Sequence, residues 1–330
     1  MENPAEALSR NDWLTSSTRL FSWCVIATLL IYLINNYLNL AHEWPGAAAI
    51  FSSESGTLGW VQTFFYLLSF AVAGYYVLRT PELTLRRDSA RITEINTFLI
   101  RAAFWAVVFV GLADMAVSFI RVEGFLPAVV GEGLAKELGR PHFRGQYLHV
   151  PLVVVGIVTA IFTRTLGFTW FTLLIVVAEL AIVITRFVLS YEQAFMGDLV
   201  RYWYAALFLF ASAYTLLEEG HVRVDVFYTN FRSRTKGFVN AIGCIFLGLS
   251  VCTTIILIGT SGKSSILNSP IMNFEVSQSG YGMYIKYQMA AFLGVFAFTM
   301  AIQFASYLLE AVADFRQEPG KRQPNTPAAN

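Results

Sequence analysis

Eight long apolar runs, each close to the length that a helix needs to cross a lipid bilayer, constrain this chain more than any other feature. A helix rises about 1.5 Å per residue, so about 20 apolar residues span the hydrocarbon core. The chain has 330 residues, of which 56% are hydrophobic and only 14% are charged. The pattern predicts an all-α, polytopic membrane protein, because backbone polar groups inside a bilayer must be satisfied within the fold. The predicted helices cover residues 20–40, 57–78, 97–120, 147–165, 168–189, 198–218, 237–259 and 285–312.

Charge, cysteine and histidine content exclude several other classes of protein. With 23 Lys and Arg against 22 Asp and Glu, the chain has no basic excess for binding nucleic acid. The cysteines all lie inside predicted helices and form neither a CxxC pair nor a cluster with metal-ligand spacing: Cys24, Cys244 and Cys252. The histidines lie at predicted helix ends or in loops, where no two can clamp a haem: His42, His142, His149 and His221. We therefore expect no cofactor, no metal and no enzymatic activity, since no titratable set converges on one membrane site.

The distribution of Lys and Arg among the loops predicts the orientation. Residues 79–91, 223–236 and 316–322 are rich in basic side chains, whereas the loops after the first and fifth predicted helices contain only His and Glu as titratable groups. By the positive-inside rule, both termini face the cytoplasm. The loop 121–146 does not follow this rule, because it is predicted to lie outside and yet contains Arg and Lys. It is, however, the longest connection, where the rule is weaker. The first apolar run begins only after Glu2, Glu6 and Asp12, so we expect no cleaved signal peptide.

A polar motif surrounds the fifth and sixth predicted helices. Arg186-Phe187 lies at the exit of the fifth helix, Asp198–Tyr202 (DLVRY) opens the sixth, and Gly220–Asp225 (GHVRVD) closes it. This combination resembles the small membrane subunit, or small permease, of the tripartite ATP-independent periplasmic (TRAP) transporters. The matching positions include Arg186, Asp198, Arg201, His221, Arg223 and Asp225. Asp198 departs from the family, which more often has Glu before the Arg-Tyr pair.

The resemblance implies an accessory role in the bacterial inner membrane. Small TRAP subunits assemble with a large permease, which carries the substrate and sodium sites, and a periplasmic binding protein delivers substrate to the pair. This chain would then brace the static part of the permease during uptake of a small organic acid. It would contact the lipid bilayer but no nucleic acid, and sodium is expected on the partner subunit.

The resemblance covers only about residues 166–312, slightly under half of the chain. Residues 1–165 are an N-terminal extension with about four membrane helices, which has no counterpart in shorter family members and carries no motif that assigns it a role. Residues 166–316 are the four-helix domain similar to TRAP small permeases. Residues 317–330 are rich in Pro and Asn and contain Lys321, which predicts a disordered cytoplasmic tail.

Charged residues within the predicted helices are the remaining clue, because each is costly in a bilayer unless it is paired or hydrated. Asp114, Arg186 and Arg201 lie at comparable depth, roughly 8–11 Å outward of the midplane, and we expect one cluster. It is either a structural ion-pair network or part of an ion pathway. Glu179 falls near the midplane, and is either protonated and bonded to a residue such as Thr299 or Gln303, or meets a group on a partner.

An alternative function stays open, namely a self-contained ion-coupled transporter that uses the Asp114/Arg186/Arg201 cluster or Glu179. Such transporters usually have helices broken near the midplane and a recognisable repeat. Here only Pro151 among ten prolines enters a predicted helix, and the helices are predicted to be unbroken.

Small residues at helical spacing predict close packing of the last two helices. The seventh carries Ala241, Cys244, Gly248 and Cys252, and the eighth a stripe from Ala290 to Ala305. Such stripes let helix backbones approach closely. We expect this packing within the chain, with a subunit interface as the alternative.

Overall fold

The protein is helical throughout the parts that its computed structural model describes, residues 13–51, 56–164, 168–192, 194–218, 226–276 and 282–322, which contain no strand. This confirms the predicted all-α class. Short 3₁₀ turns occupy Ala47–Phe51 and Tyr228–Asn230. The helices are α1 Trp13–Ala41, α2 Thr57–Arg79, α3 Leu85–Val122, α4 Leu126–Val130, α5 Glu132–Leu138, α6 Pro141–Phe162, α7 Phe168–Val188, α8 Ala194–Leu217, α9 Ser233–Gly259, α10 Asn268–Met272 and α11 Lys286–Arg316.

Each predicted membrane helix has an observed counterpart among the longer helices. Seven of these are long and apolar enough to cross a membrane, and α8 differs from them because it is opened by Asp198 and Arg201 and is rich in Tyr. Five helices begin earlier than predicted: α1 by seven residues, α3 by twelve, α6 by six, and α8 and α9 by four each. The first turn of α3 contains Asp88, which suits a helix N-terminus, and α6 begins at Pro141, whose missing N–H costs nothing in a first turn.

Two of the long helices contain a π-helical turn. The turn in α6 spans Gly145–His149, just before Pro151, and the turn in α9 spans Cys244–Leu249. A proline inside a helix removes one hydrogen bond and clashes with the preceding turn, and a widened turn relieves that clash. Both α6 and α9 continue through the widened turn as single helices, Pro141–Phe162 and Ser233–Gly259, so the prediction of unbroken helices holds for them.

The described residues form two compact units, and each unit draws on both halves of the sequence. The first unit comprises residues up to Asn96, Thr215–Gly262 and those from Met300 onward. The second comprises Thr97–Tyr214 and Lys263–Thr299. The N-terminal residues are thus packed together with C-terminal ones in each unit, and the division at residue 165 describes the sequence only.

In the first unit, small residues of α9 pack against α11. A Cβ added at Gly248 would lie 2.6 Å from the Phe304 ring, and one at Gly237 would lie 2.4 Å from the Phe315 backbone nitrogen. Cys252 is buried with Ala301. The predicted within-chain packing of this small-residue stripe is therefore confirmed.

The second unit is packed around α3. A Cβ added at Gly156 of α6 would lie 2.5 Å from the backbone nitrogen of Ala106, so glycine permits the closest approach of the two helices. On another side of α3, a Cβ at Gly111 would lie 2.6 Å from Trp203 Nε1. Burial of apolar and aromatic side chains around α3 thus holds α6 and α8 in place.

The start of the predicted disordered tail is packed in the first unit. Arg86 donates to the backbone oxygens of Glu318, at 2.8 Å, and Pro319, at 3.0 Å. Lys321 pairs with Asp314 at 2.8 Å, and Arg322 pairs with Glu218. Residues Gln317–Arg322 therefore differ from the expectation of disorder, while 323–330 lie outside the described residues.

Candidate functional site

Asp114 of α3 is the centre of a fully buried polar network in the second unit. Its Oδ1 accepts hydrogen bonds from Arg144 Nη1 at 2.9 Å and from His149 Nε2 at 3.0 Å. Its Oδ2 accepts one from the backbone nitrogen of Tyr284 at 2.7 Å. Arg144 immediately precedes the π turn of α6 and His149 is the last residue of that turn, so the turn sets the register at which both reach the same carboxylate oxygen. The network joins α3, α6 and the segment before α11.

The network continues from His149 through a series of hydrogen bonds. Because an ionised carboxylate only accepts hydrogen bonds, the proton between His149 and Asp114 lies on Nε2. In the neutral imidazole, Nδ1 then accepts from the Tyr287 hydroxyl at 2.9 Å. The Tyr287 oxygen accepts from Gln288 Nε2 at 3.0 Å, and Gln288 Oε1 accepts from the Tyr202 hydroxyl. In this series of hydrogen bonds, each donor therefore faces an acceptor.

Arg144 is held by more than the carboxylate. Its Nε donates to the backbone oxygen of Leu138 at 2.9 Å, and Nη1 also donates to Ser118 Oγ at 3.1 Å. The guanidinium lies over the Tyr284 ring, 4.0 Å from its centroid. The Arg121 guanidinium also lies over this ring, at 4.7 Å, and donates to the Tyr284 hydroxyl. These contacts are of the kind that makes a buried arginine tolerable in a low dielectric.

This arrangement fits a structural ion-pair network better than a cation-binding site. The guanidinium of Arg144 already neutralises Asp114, and a metal cation near Oδ1 would have to displace it. Removing one partner of a buried ion pair leaves an uncompensated charge, which costs about 3–5 kcal/mol. The network therefore makes the packing of the second unit strongly dependent on Asp114.

The predicted cluster of Asp114 with Arg186 and Arg201 is wrong. Arg186 lies 3.3 Å from Glu192, with 60% of its side chain exposed. Arg201 lies 3.7 Å from Asp198, one helical turn earlier, with 76% of its side chain exposed. Equal depth along the membrane normal does not place two side chains on facing helix surfaces, and both arginines point outward.

Asp198, one of the motif residues, has a clear structural role. Its Oδ2 accepts a hydrogen bond from the backbone nitrogen of Met283 at 3.1 Å, which ties the start of α8 to the segment that precedes α11. Arg186 and Arg201 leave their guanidinium groups at the surface. The remaining motif residues, His221, Arg223 and Asp225, lie outside the described residues.

Glu179 is exposed in the middle of α7, where the sequence predicts an intramembrane carboxylate. Within the described ranges it has neither a hydrogen bond nor an ion pair. Thr299, one of its expected partners, instead donates to the backbone oxygen of Val295 at 2.8 Å, and Gln303 accepts from Asn96 at 3.1 Å. A charged group at mid-membrane costs about 2.5–3.5 kcal/mol on insertion scales. The expectation of a partner within the chain is not met, and a partner outside it stays a prediction.

Sequence reasoning missed Arg144 and His149. Arg144 was assigned to an outer loop, and His149 to the end of a helix starting at 147. Pro141 is the signal that could have placed them, because proline favours the first turn of a helix. A start at Pro141 puts both residues inside α6, and it overturns the expectation that titratable groups do not converge.

A second polar cluster lies in the first unit. Arg19 of α1 is fully buried and pairs with Asp88 at 2.6 Å, and its other nitrogens donate to Thr80. Arg86 pairs with both Glu310 and Asp314 of α11. Burial raises the pKa of the nearby Glu318 carboxyl, while Arg316 and Arg86 lower it. These pairs hold α1, α2 and the start of α3 against the end of α11.

Beside Arg86 is a cavity of about 650 Å³, which falls in the size range of small-molecule sites. Its basic residues already have acceptors within the unit: Arg86 with Glu310 and Asp314, Lys321 with Asp314, Arg322 with Glu218, and Lys236 with the Thr229 backbone oxygen. The lining therefore does not favour a ligand of one charge over a ligand of the other.

Residues 174–314 match the family model for the DctQ component of tripartite ATP-independent periplasmic transporters. The chain carries a DctQ domain. The match bears out the resemblance drawn from Arg186 to Asp225, over slightly under half of the chain. No curated protein and no solved structure matches the chain.

The Asp114 network crosses the boundary of the DctQ domain. Tyr202, Tyr284 and Tyr287 lie inside the match, whereas Asp114, Arg144 and His149 precede it. The same holds in the first unit, where Arg19, Arg86 and Asp88 of the extension bond to one another or to Glu310 and Asp314 of the DctQ domain. The extension is thus attached to the DctQ domain by buried hydrogen bonds and ion pairs.

Proposed function

We propose that this protein is the non-catalytic small membrane subunit of a TRAP transporter, and that it braces the large permease subunit. The transporter would perform sodium-driven uptake of a small organic acid, with substrate delivered by a periplasmic binding protein. The observation that carries the proposal is the DctQ match over 174–314. The substrate and sodium sites belong to the large permease in this proposal, and the chain needs no cofactor of its own.

The packing of the chain supports a bracing role. A brace must keep its shape while its partner moves, so its buried polar groups should bond to one another. In the second unit, Asp114 bonds to both Arg144 and His149. In the first unit, Arg19 pairs with Asp88. The extension would enlarge the rigid surface that the DctQ domain offers to the permease.

We propose a location in the bacterial inner membrane with both termini in the cytoplasm. Seven apolar helices and the DctQ match support a multi-pass membrane protein. The orientation rests on the arginine-rich segments 79–91 and 223–236.

Co-purification tests the proposal. The tagged chain, expressed with the large permease and the binding protein of the same transporter, should retain the permease in near-equal amount after solubilisation in mild detergent, as measured by mass spectrometry. A tagged, unrelated multi-pass protein from the same membranes is the control. Recovery of the permease at the level of this control would overturn the proposal.

The exposed motif arginines give a finer test. Arg201→Ala should lower permease recovery and uptake together, because its guanidinium is at the surface and, among the described residues, its one ion pair is a long contact of 3.7 Å to Asp198. We expect the same of Arg223→Ala from the sequence motif. Loss of uptake with full permease recovery would contradict a role in assembly.

A further inference from the structure

Polar residues of α7 gather on one exposed stripe. The helix has five polar or charged residues, Thr169, Thr172, Glu179, Thr185 and Arg186. All but Thr185 fall on a single line together with two valines, at spacings of three and four residues. This line, called the Glu179 stripe below, consists of exposed residues: Thr169, Thr172, Val176, Glu179, Val183 and Arg186.

A second exposed stripe on the same helix provides a comparison. Its members each follow a residue of the Glu179 stripe by one position, so this second stripe is rotated by about 100° around the helix. They are Leu173, Val177, Leu180 and Ile184, which are 50%, 54%, 57% and 48% exposed. This stripe is purely aliphatic, as lipid contact requires. The buried residues of α7, Phe171 and Ile175, lie on neither stripe. The helix thus has one face for its own unit, one suited to lipid, and one that carries a carboxylate.

The Glu179 carboxylate lies at the depth where the hydrocarbon core of a bilayer solvates a charged group least well. Glu179 is eleven residues after Phe168 and nine before Val188, within about 2 Å of the middle of α7. No hydrogen bond or ion pair satisfies it in the described parts of the chain. An intramembrane carboxylate of this kind normally faces a protein interior and pairs with another group.

We propose that the Glu179 stripe is the surface on which a transmembrane helix of the large permease docks. That helix places a Lys, an Arg or an amide donor opposite Glu179 at mid-membrane depth. The alternation of three and four residues matches the seam by which two helices pack at a shallow angle. The assignment rests on the proposed function, since it takes the permease as the partner.

Charge complementarity favours the permease over a second copy of this chain. Copies in one membrane share the same orientation, so two α7 helices that packed through this stripe would be parallel. Their Glu179 side chains would then meet at the same depth, where two carboxylates repel each other. A different chain can offer a donor at that depth.

The test compares two pairs of tryptophan variants in the full complex. Val176→Trp and Val183→Trp add bulk to the Glu179 stripe, while Val177→Trp and Ile184→Trp add the same bulk to the aliphatic stripe. Recovery of the large permease with the tagged chain should fall at least tenfold for the first pair and stay within twofold for the second. Glu179→Leu should also lower recovery, and Glu179→Gln should retain more of it, because the amide oxygen still accepts a hydrogen bond.

Each outcome has a distinct meaning. Gel filtration and thermal unfolding of each variant alone show whether it folds, and the two Glu179 variants introduce no steric clash. If wild type recovers the permease but all stripe variants do so equally well, the docking surface is wrong and the proposed function stands. If wild type recovers no permease, the proposed function fails and the assignment fails with it. A homodimeric disulfide at Val183→Cys in native membranes would identify a second copy as the occupant and overturn the proposal.

Discussion

Asp114 and Arg144 form a buried ion pair across 30 positions of sequence, with 2.9 Å between Oδ1 and Nη1 and no exposed side-chain surface on either residue. The pair joins the C-terminal part of α3 to the first turns of α6. Through Tyr284 and His149 it also reaches the segment before α11 and its first turn. The packing of the second unit therefore depends strongly on one carboxylate.

We predict strong coupling between these two residues. Asp114→Asn and Arg144→Gln should each lower the free energy of unfolding in detergent by about 3–5 kcal/mol, because each leaves a buried charge unpaired. The double variant should lose less than the sum, with a coupling energy of at least about 1 kcal/mol. The matched cycle is Asp198→Asn with Arg201→Gln, whose coupling should stay below about 1 kcal/mol because Arg201 is exposed. Additive losses at Asp114 and Arg144 would show that they do not stabilise each other.

Two glycine-to-alanine changes should differ in their effect on stability. At Gly156 the new methyl group would lie 2.5 Å from the α3 backbone, so Gly156→Ala should cost about 1–3 kcal/mol of stability through overpacking. At Gly243 a Cβ meets nothing within 4 Å, so Gly243→Ala should leave stability unchanged or raise it by up to about 1 kcal/mol. Thermal unfolding in detergent measures both. Equal effects of the two changes would contradict the close approach of α6 to α3.

The packed start of the C-terminal segment gives a third prediction. Deletion of residues 317–330 removes the backbone acceptors of Arg86 and the pairs of Lys321 and Arg322, and should lower Tm by a few degrees. Deletion of 323–330 keeps all of these contacts and is the matched control. Identical Tm values for the two truncations would show that Gln317–Arg322 adds no stability.

The orientation can be tested with single cysteines. After the three native cysteines are replaced by alanine, Arg87→Cys and Arg234→Cys should resist a membrane-impermeant thiol reagent in intact spheroplasts and react once the membrane is permeabilised. His42→Cys and Glu192→Cys should react in both. All four positions are exposed, so protection reports sidedness and not burial. Labelling of Arg87→Cys from outside would contradict the positive-inside assignment.

The sequence was sufficient for the helices but not for their partners. Runs of about 20 apolar residues determine where helices lie, because the bilayer leaves few alternatives. The residues that pair with Asp114 depend on which helix faces meet, and that depends on a π turn and on close contacts at Gly111 and Gly156. The position of a residue along its helix is readable from spacing, and Glu179 does lie at the middle of α7, whereas the rotation of one helix against another is not readable from spacing. Arg186 and Arg201 matched Asp114 in depth and still face outward.

The most direct test of the account is reconstitution in liposomes with an inward sodium gradient and a panel of labelled small organic acids. This chain alone, with binding protein added, should give no uptake above empty vesicles. The large permease with this chain should give uptake, and the permease without it should give much less. Sodium-driven uptake by this chain alone, or full uptake by the permease alone, would contradict the claim that it is a brace on which transport depends.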